Sequence, residues 1–217
     1  MHRIDSATLA RRVAAEAAAL APFIAGWSGR LAVQVGVPAV EFAAPEKFAC
    51  CLKVDRQAVG GVVRAAPDAL PLPEGCADVL FLVHVLEEAE SPSAVLVEAA
   101  RVLRGEGRLV VLGLRPLSAT GVRRIPARFL APHPRMLGLF RLRLLAGRAG
   151  FVWERALGLG CGPIERRLPG PWRRLLSASY AAIASKRVEG MTVLRPRWQQ
   201  KARRQRQAVL TGHGHAG

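Results

Sequence analysis

Apolar and polar positions along this chain switch between two periods, and the sharpest switch falls within residues 77–113. Val79 to Val83 is an unbroken apolar run of strand length, the pattern of a strand covered on both faces. Past it, Val95, Leu96, Ala99, Val102 and Leu103 recur on one face of a helix, predicted over Pro92 to Leu103. Ser91 offers an N-cap oxygen, and Pro92 fits the first helical position, where no N–H is needed. Arg101 and Arg104 suit the negative end of that helix, and Gly105 offers a left-handed cap. Leu109 to Leu112 is a second buried strand. Strand, crossover helix and strand form a right-handed unit that requires a parallel sheet.

The same periods predict the flanking elements. Asp5 or Ser6 caps a helix that runs to Ile24, with Leu9, Val13, Ala17 and Leu20 on one face. Leu31 to Val35 is the first strand, Phe48 to Val54 the second and Gly61 to Ala65 the third. Too few residues separate the second and third for a parallel crossover, which needs about a dozen, so an antiparallel hairpin through Gly60-Gly61 is expected. Leu114 to Arg128 is rich in Pro, Gly and Arg and predicts a surface loop. A helix is expected over Pro134 to Ala146, then strands over Phe151 to Leu157 and Ser179 to Lys186, paired antiparallel. The chain thus divides into an α/β domain over residues 1–190, opening with a helical segment at 1–29, and a tail at 191–217. Arg195, Arg197, Lys201, Arg203, Arg204 and Arg206 make that tail basic with little to bury, so disorder is expected there.

Composition sharpens this picture at three points. With 217 residues, 51% of them apolar, the chain is long enough to bury a full core. No apolar run reaches bilayer length, and Glu16 interrupts the only stretch that resembles a signal peptide. The four cysteines, Cys50, Cys51, Cys76 and Cys161, form no metal-spaced set, which fits a reduced, cytoplasmic protein. A net charge of +16 allows contact with nucleic acid or an anionic surface, though arginine-rich composition alone produces the same number.

The central stretch also carries a resemblance. Leu70-Pro71-Leu72, Ala77-Asp78-Val79, His84-Val85-Leu86-Glu87, Ser91-Pro92, Glu98, Arg101-Val102-Leu103 and Gly107-Arg108-Leu109-Val110 follow one another at characteristic spacing. The run resembles the core of class I S-adenosylmethionine (SAM)-dependent methyltransferases of the type 11 group. Arg115-Pro116-Leu117-Ser118-Ala119-Thr120-Gly121-Val122-Arg123 is similar to a segment of one bacterial branch of that group. The resemblance implies a Rossmann-like sheet, mostly parallel with a C-terminal antiparallel hairpin. Here that sheet is shortened between strands one and three. It also implies SAM as cofactor.

The same resemblance nominates site residues. Gly36-Val37-Pro38 stands where a glycine-rich loop would meet the methionine part of SAM, with one glycine retained. Asp55 stands either for the acid that grips the ribose hydroxyls or for a turn residue. Ala66, four residues before Leu70, replaces the acid expected at the adenine amino group; Asp68 either substitutes for it or is an exposed loop acid. His84 follows the central strand and so reaches the carboxyl edge, where ligands of such sheets bind. It either touches the cofactor, acts as base on an acceptor, or caps the following turn. No metal site is expected.

Three functions follow. The first is SAM-dependent methyl transfer to an unidentified small or medium-sized acceptor, with a worn pocket that binds SAM weakly. Such transfer needs in-line placement more than a particular side chain. The second is a non-catalytic scaffold that binds a ligand or partner through the old cleft. The third is a basic module associated with nucleic acid or a membrane surface, resting on the charge and the tail.

Overall fold

The computed structural model describes residues 6–56, 63–115, 137–159 and 179–187. Among them are seven strands: β1 (Gly29–Val35), β2 (Phe48–Asp55), β3 (Val63–Arg64), β4 (Ala77–Val83), β5 (Leu103–Leu114), β6 (Phe151–Leu159) and β7 (Ser179–Lys186). They form one sheet in the order β3-β2-β1-β4-β5-β7-β6. β1 pairs with β4, and β4 with β5, in parallel. β7 runs antiparallel to both β5 and β6. The apolar run read from the sequence is the centre of the sheet, and every residue of β4 is buried.

Among the described residues three helices cover the sheet: α1 (Ser6–Ile24), α2 (Pro92–Val102) and α3 (Leu139–Arg148). Because strand side chains alternate, β4 sends Leu80 and Leu82 to one core and Val79, Phe81 and Val83 to the other. Leu96 and Ala99 of α2 and Leu142 of α3 fill the first core. Val13 and Leu20 of α1 fill the second. Each fully buried leucine or valine contributes about 1.5–3 kcal/mol, so the two-faced burial of β4 makes it the anchor of the fold.

Three expectations change. The second and third strands do not form a hairpin: β2 and β3 are parallel, with Val54 opposite Val63 and Asp55 opposite Arg64. The dozen-residue rule assumes a return along a full strand. β3 has only two residues, so the chain need retreat roughly 7 Å. Seven residues, 56–62, are enough chain to span that distance. Next, α2 ends at Val102, Leu103 is already extended, and the left-handed residue is Glu106 (φ 64°) rather than Gly105. The third late helix starts at Leu139 rather than Pro134 and runs to Arg148, with Gly138 extended ahead of it. Residues 134–136, the turn at Gly60-Gly61 and the basic tail at 191–217 lie outside the described residues.

The only helical element between β1 and β2 is a 3-10 turn, Pro45–Lys47. The β2 edge is accordingly thinly covered: Ala49, Cys50 and Cys51 are exposed in succession.

Candidate functional site

The chain leaves β1 toward β2 on one side of the sheet and resumes with β4 on the other, so the switch point lies between β1 and β4. Ligands bind outside the carboxyl ends at such a point. Gly36 and Val37 follow β1, Asp55 ends β2, the loop 66–70 follows β3 and His84 follows β4. Gly36, Val37, Asp55 and His84 therefore lie at or just beyond a carboxyl end, Ala66 and Asp68 follow the end of β3, and Leu70 lies farther along, against the last turns of α2.

Gly36 (φ 81°) and Val37 (φ 41°) turn the chain in the left-handed region. A Cβ on Gly36 would stand 2.5 Å from the Val83 carbonyl oxygen and 2.8 Å from Val85 Cγ2. Glycine is thus required by the meeting of two strand ends, whatever the loop binds. Its N–H donates to the Val54 carbonyl at 2.9 Å, which sets this turn beside the end of β2 and Asp55. Asp55 is half-buried, and its Oδ1 accepts from the Arg56 N–H at 2.7 Å. The structure therefore brings the Gly36–Val37 turn, the end of β4 and the neighbourhood of Asp55 together.

A residue not nominated from the sequence holds that loop. Gln34 is 5% exposed, and its Nε2 donates to the carbonyls of Val37 (3.0 Å) and Val40 (2.7 Å). Its Oε1 accepts from the Phe42 N–H at 3.3 Å. One side-chain amide thereby replaces the backbone pairing that a loop lacks. Lys53 closes the outer side by donating to the Pro38 carbonyl (3.1 Å) and to Glu41 (2.9 Å).

The loop after β3 is built differently. Ala66 and Asp68 are exposed, and the Ala69 N–H returns to the Ala66 carbonyl at 3.1 Å. Leu70 is buried, with both its backbone groups held from α2. Its N–H donates to Glu98 at 2.7 Å, and its carbonyl accepts from Arg101 at 3.2 Å. Arg101 also grips Glu98 through Nε (2.8 Å) and Nη2 (2.7 Å). The hydrogen bonds from Arg101, with that from Leu70, outweigh burial and hold the Glu98 carboxyl below its ordinary range. The motif residues Leu70, Glu98 and Arg101 are thus one clamp. Asp78, another motif residue, works at the opposite edge, where its Oδ2 accepts from the N–H groups of Arg30 (2.7 Å) and Leu31 (2.9 Å).

His84 sits at the expected edge, but its ring faces α1. Its backbone is left-handed (φ 54°), and its N–H donates to the Leu112 carbonyl at 3.1 Å. Nε2 meets Glu16 Oε2 at 2.8 Å, and Nδ1 stands 3.5 Å from Glu87 Oε1, an ion-pair distance rather than a short hydrogen bond. Glu16 is fully buried on the α1 stripe between Val13 and Leu20. It also accepts from Ser179 Oγ at 2.6 Å and from Arg12 Nε at 3.1 Å. Burial alone would lower the His84 pKa, but Glu16 and Glu87 outweigh it and push it up to about 9. Burial alone would raise the Glu16 carboxyl; its bonds to His84 and Ser179 win and hold it down. At neutral pH an imidazolium therefore links α1 to the end of β4, and through Glu87 to the Leu114 N–H at 2.6 Å.

An acid on an otherwise apolar helical stripe was the available signal for Glu16, because buried carboxylates are rare unless paired. A glutamine in an apolar strand was the corresponding signal for Gln34.

A cavity of about 190 Å³ lies beneath the end of α1, lined by Ile24, Trp27, Phe42, Lys47, Phe48 and Phe81 among others, and none of the nominated residues lines it. Among the described residues, no helix is long and apolar enough to cross a membrane, and no group of three or more His, Cys, Asp or Glu could hold a metal ion.

Comparison with known proteins gives a consistent result. The family model described as "Methyltransferase domain" matches residues 37–111. An uncharacterised protein of Escherichia coli K12, YafS, is 31% identical over 170 residues, covering 73% of this chain and 68% of that protein. A Mycobacterium tuberculosis H37Rv protein bearing the name "Probable S-adenosylmethionine-dependent methyltransferase" is 31% identical over 142 residues, which cover 57% of this chain and 51% of that one. The chain thus spans about half the length of this mycobacterial relative. Among solved structures, a SAM-dependent methyltransferase from Thermotoga maritima superposes with a TM-score of 0.62 at 21% identity, covering 82% of this chain and 92% of that one. That likeness is one of fold.

Proposed function

This chain belongs to the methyltransferase type 11 family of SAM-dependent methyltransferases, and from that premise we propose that it binds SAM across the β1–β4 switch point. Bound there, SAM supplies an electrophilic methyl group on its sulfonium, for transfer to a small or medium-sized acceptor. The observation that carries the reading is the juxtaposition held by the Gly36 N–H and the Val54 carbonyl, which sets the left-handed turn beside Asp55. In this reading the Gly36–Val37 main chain lies along the methionine part, Asp55 meets the ribose hydroxyls, and the clamped Leu70 loop borders the adenine. Ala66 brings no carboxylate to that loop, and Asp68 would serve only if its turn shifted.

For His84 the geometry favours positioning over proton abstraction. A ring already protonated, with both nitrogens facing carboxylates, is a poor base near neutral pH. Its role is then to fix α1 against the edge that the acceptor must approach. A reducing, cytoplasmic setting fits the free thiols of Cys50, Cys51 and Cys76.

A second reading, a non-catalytic scaffold, draws on one observation: the only helical element between β1 and β2 is the 3-10 turn Pro45–Lys47, and β3 is only two residues long. Titration calorimetry with SAM and S-adenosylhomocysteine separates the two. Methyl transfer requires measurable binding that Asp55→Ala weakens about tenfold, the worth of one good hydrogen bond. Ala66→Asp should tighten it. No heat from any of the three proteins would favour the scaffold.

A further inference from the structure

α3 packs through one stripe. Leu142 and Ala146 are buried, at 0% and 3% exposure, against α2 and the sheet. With about 100° between successive residues, Phe140 and Leu144 fall on the line opposite that stripe, one turn apart. They are 86% and 48% exposed. Arg143 flanks this pair on one side, Arg141 and Arg148 flank it on the other, and all three are exposed. The helix, LFRLRLLAGR, contains no acidic residue. An ordinary surface helix carries polar residues on its outermost line and apolar ones inward. Here the outermost line is apolar and its margins are cationic.

We infer that α3 docks the protein on an anionic lipid surface, with Phe140 and Leu144 entering the interface and the three arginines at the level of the phosphates. Apolar centre and cationic margins are the arrangement of helices that lie in a membrane interface, where long arginine stems let the charge stay in the headgroups. A nucleic acid would be met by a different pattern, with guanidinium groups central and flat rings for stacking; Leu144 offers neither. The net charge of +16 draws the whole chain toward anionic bilayers. Ten residues with two apolar anchors give reversible attachment that depends on lipid charge.

Vesicle flotation with the full chain tests this, because the tail is also basic and charge alone could produce binding. Vesicles of phosphatidylcholine alone are compared with mixtures of phosphatidylcholine and phosphatidylglycerol. The unaltered protein should float with the mixed vesicles and much less with the neutral ones. Phe140→Ser combined with Leu144→Ser leaves the net charge unchanged and removes no buried side chain. It should lower partitioning about tenfold with an unaltered circular dichroism spectrum. Arg141→Gln with Arg143→Gln and Arg148→Gln should weaken binding most at low salt. Equal flotation of the serine variant and the unaltered protein would assign the binding to charge elsewhere and overturn the proposal. So would absence of flotation, or loss in the serine variant of binding to single-stranded DNA but not to vesicles.

Discussion

Glu16 is a carboxylate with no exposed surface, and what it contributes depends on whether His84 carries a proton. His84 titrates near 6.5 when free and at about 9 in the folded protein. Its contribution is therefore complete below about pH 6.5 and is lost as pH rises through 9. Glu16, held below its ordinary 4.5, adds stability above that pH and loses it as the pH falls through its lowered folded value. Unfolding by urea at pH 6 and pH 9 should show the unaltered protein losing on the order of 1–3 kcal/mol toward the alkaline side. His84→Gln should be less stable at pH 6 but nearly flat across that interval; an equal slope would mean that another group titrates. Gln34 makes a second prediction at this scale. Gln34→Leu keeps the volume but strips the Val37 and Val40 carbonyls and the Phe42 N–H of their partner. It should cost about 2–4 kcal/mol, and the cost should appear together with weaker SAM binding, since the loop it holds contains Gly36 and Val37.

At the scale of elements, what the sequence makes legible is what is local. The Ser91 cap is formed as read, with its oxygen accepting from the Ala94 N–H at 3.3 Å. β1, β4 and β5 are adjacent and parallel because a fully apolar strand must lie mid-sheet and a strand–helix–strand unit has one hand. What was illegible is what depends on distant partners. Glu16 meets residues 68 and 163 positions away, so its place on the stripe could be flagged but not explained. The β2–β3 pairing failed to follow a length rule because β3 is shorter than the rule supposes. The Leu70 clamp lies between these cases: its three residues stood out as a motif, while their joint action needed coordinates. Glu98→Ala should release the loop. Hydrogen exchange at Leu70 and its neighbours should then speed up while β4 and β5 keep their protection. Equal acceleration everywhere would show that Glu98 supports the whole fold rather than this loop.

For the whole molecule, the segment from β1 to β4 decides how well a cofactor can be held. An intact ligand pocket encloses most of its ligand in apolar surface, typically within about 300–1,000 Å³. Here the β2 edge carries exposed Ala49, Cys50 and Cys51, the stretch between β1 and β2 holds no helix longer than three residues, and Ala66 is exposed without a carboxylate. Less apolar surface can close over an adenosine, and water competes for the polar contacts that remain. SAM affinity should accordingly lie in the high micromolar range or weaker. This has a thermal consequence, because a ligand that binds only the folded state stabilises it by RT ln(1 + [L]/Kd). With a Kd of about 100 µM, SAM at about 1 mM adds roughly 1.4 kcal/mol, which for a chain of this size raises Tm by about 3–6 °C. At about 10 µM the shift should vanish into the noise. A scanning series over that range, repeated with Ala66→Asp, reads the pocket directly. The variant should reach the same shift at lower SAM if the loop clamped by Glu98 and Arg101 borders the adenine. A rise of about ten degrees at about 1 mM in the unaltered protein would mean near-micromolar binding or better, and the open-walled pocket would have to be abandoned.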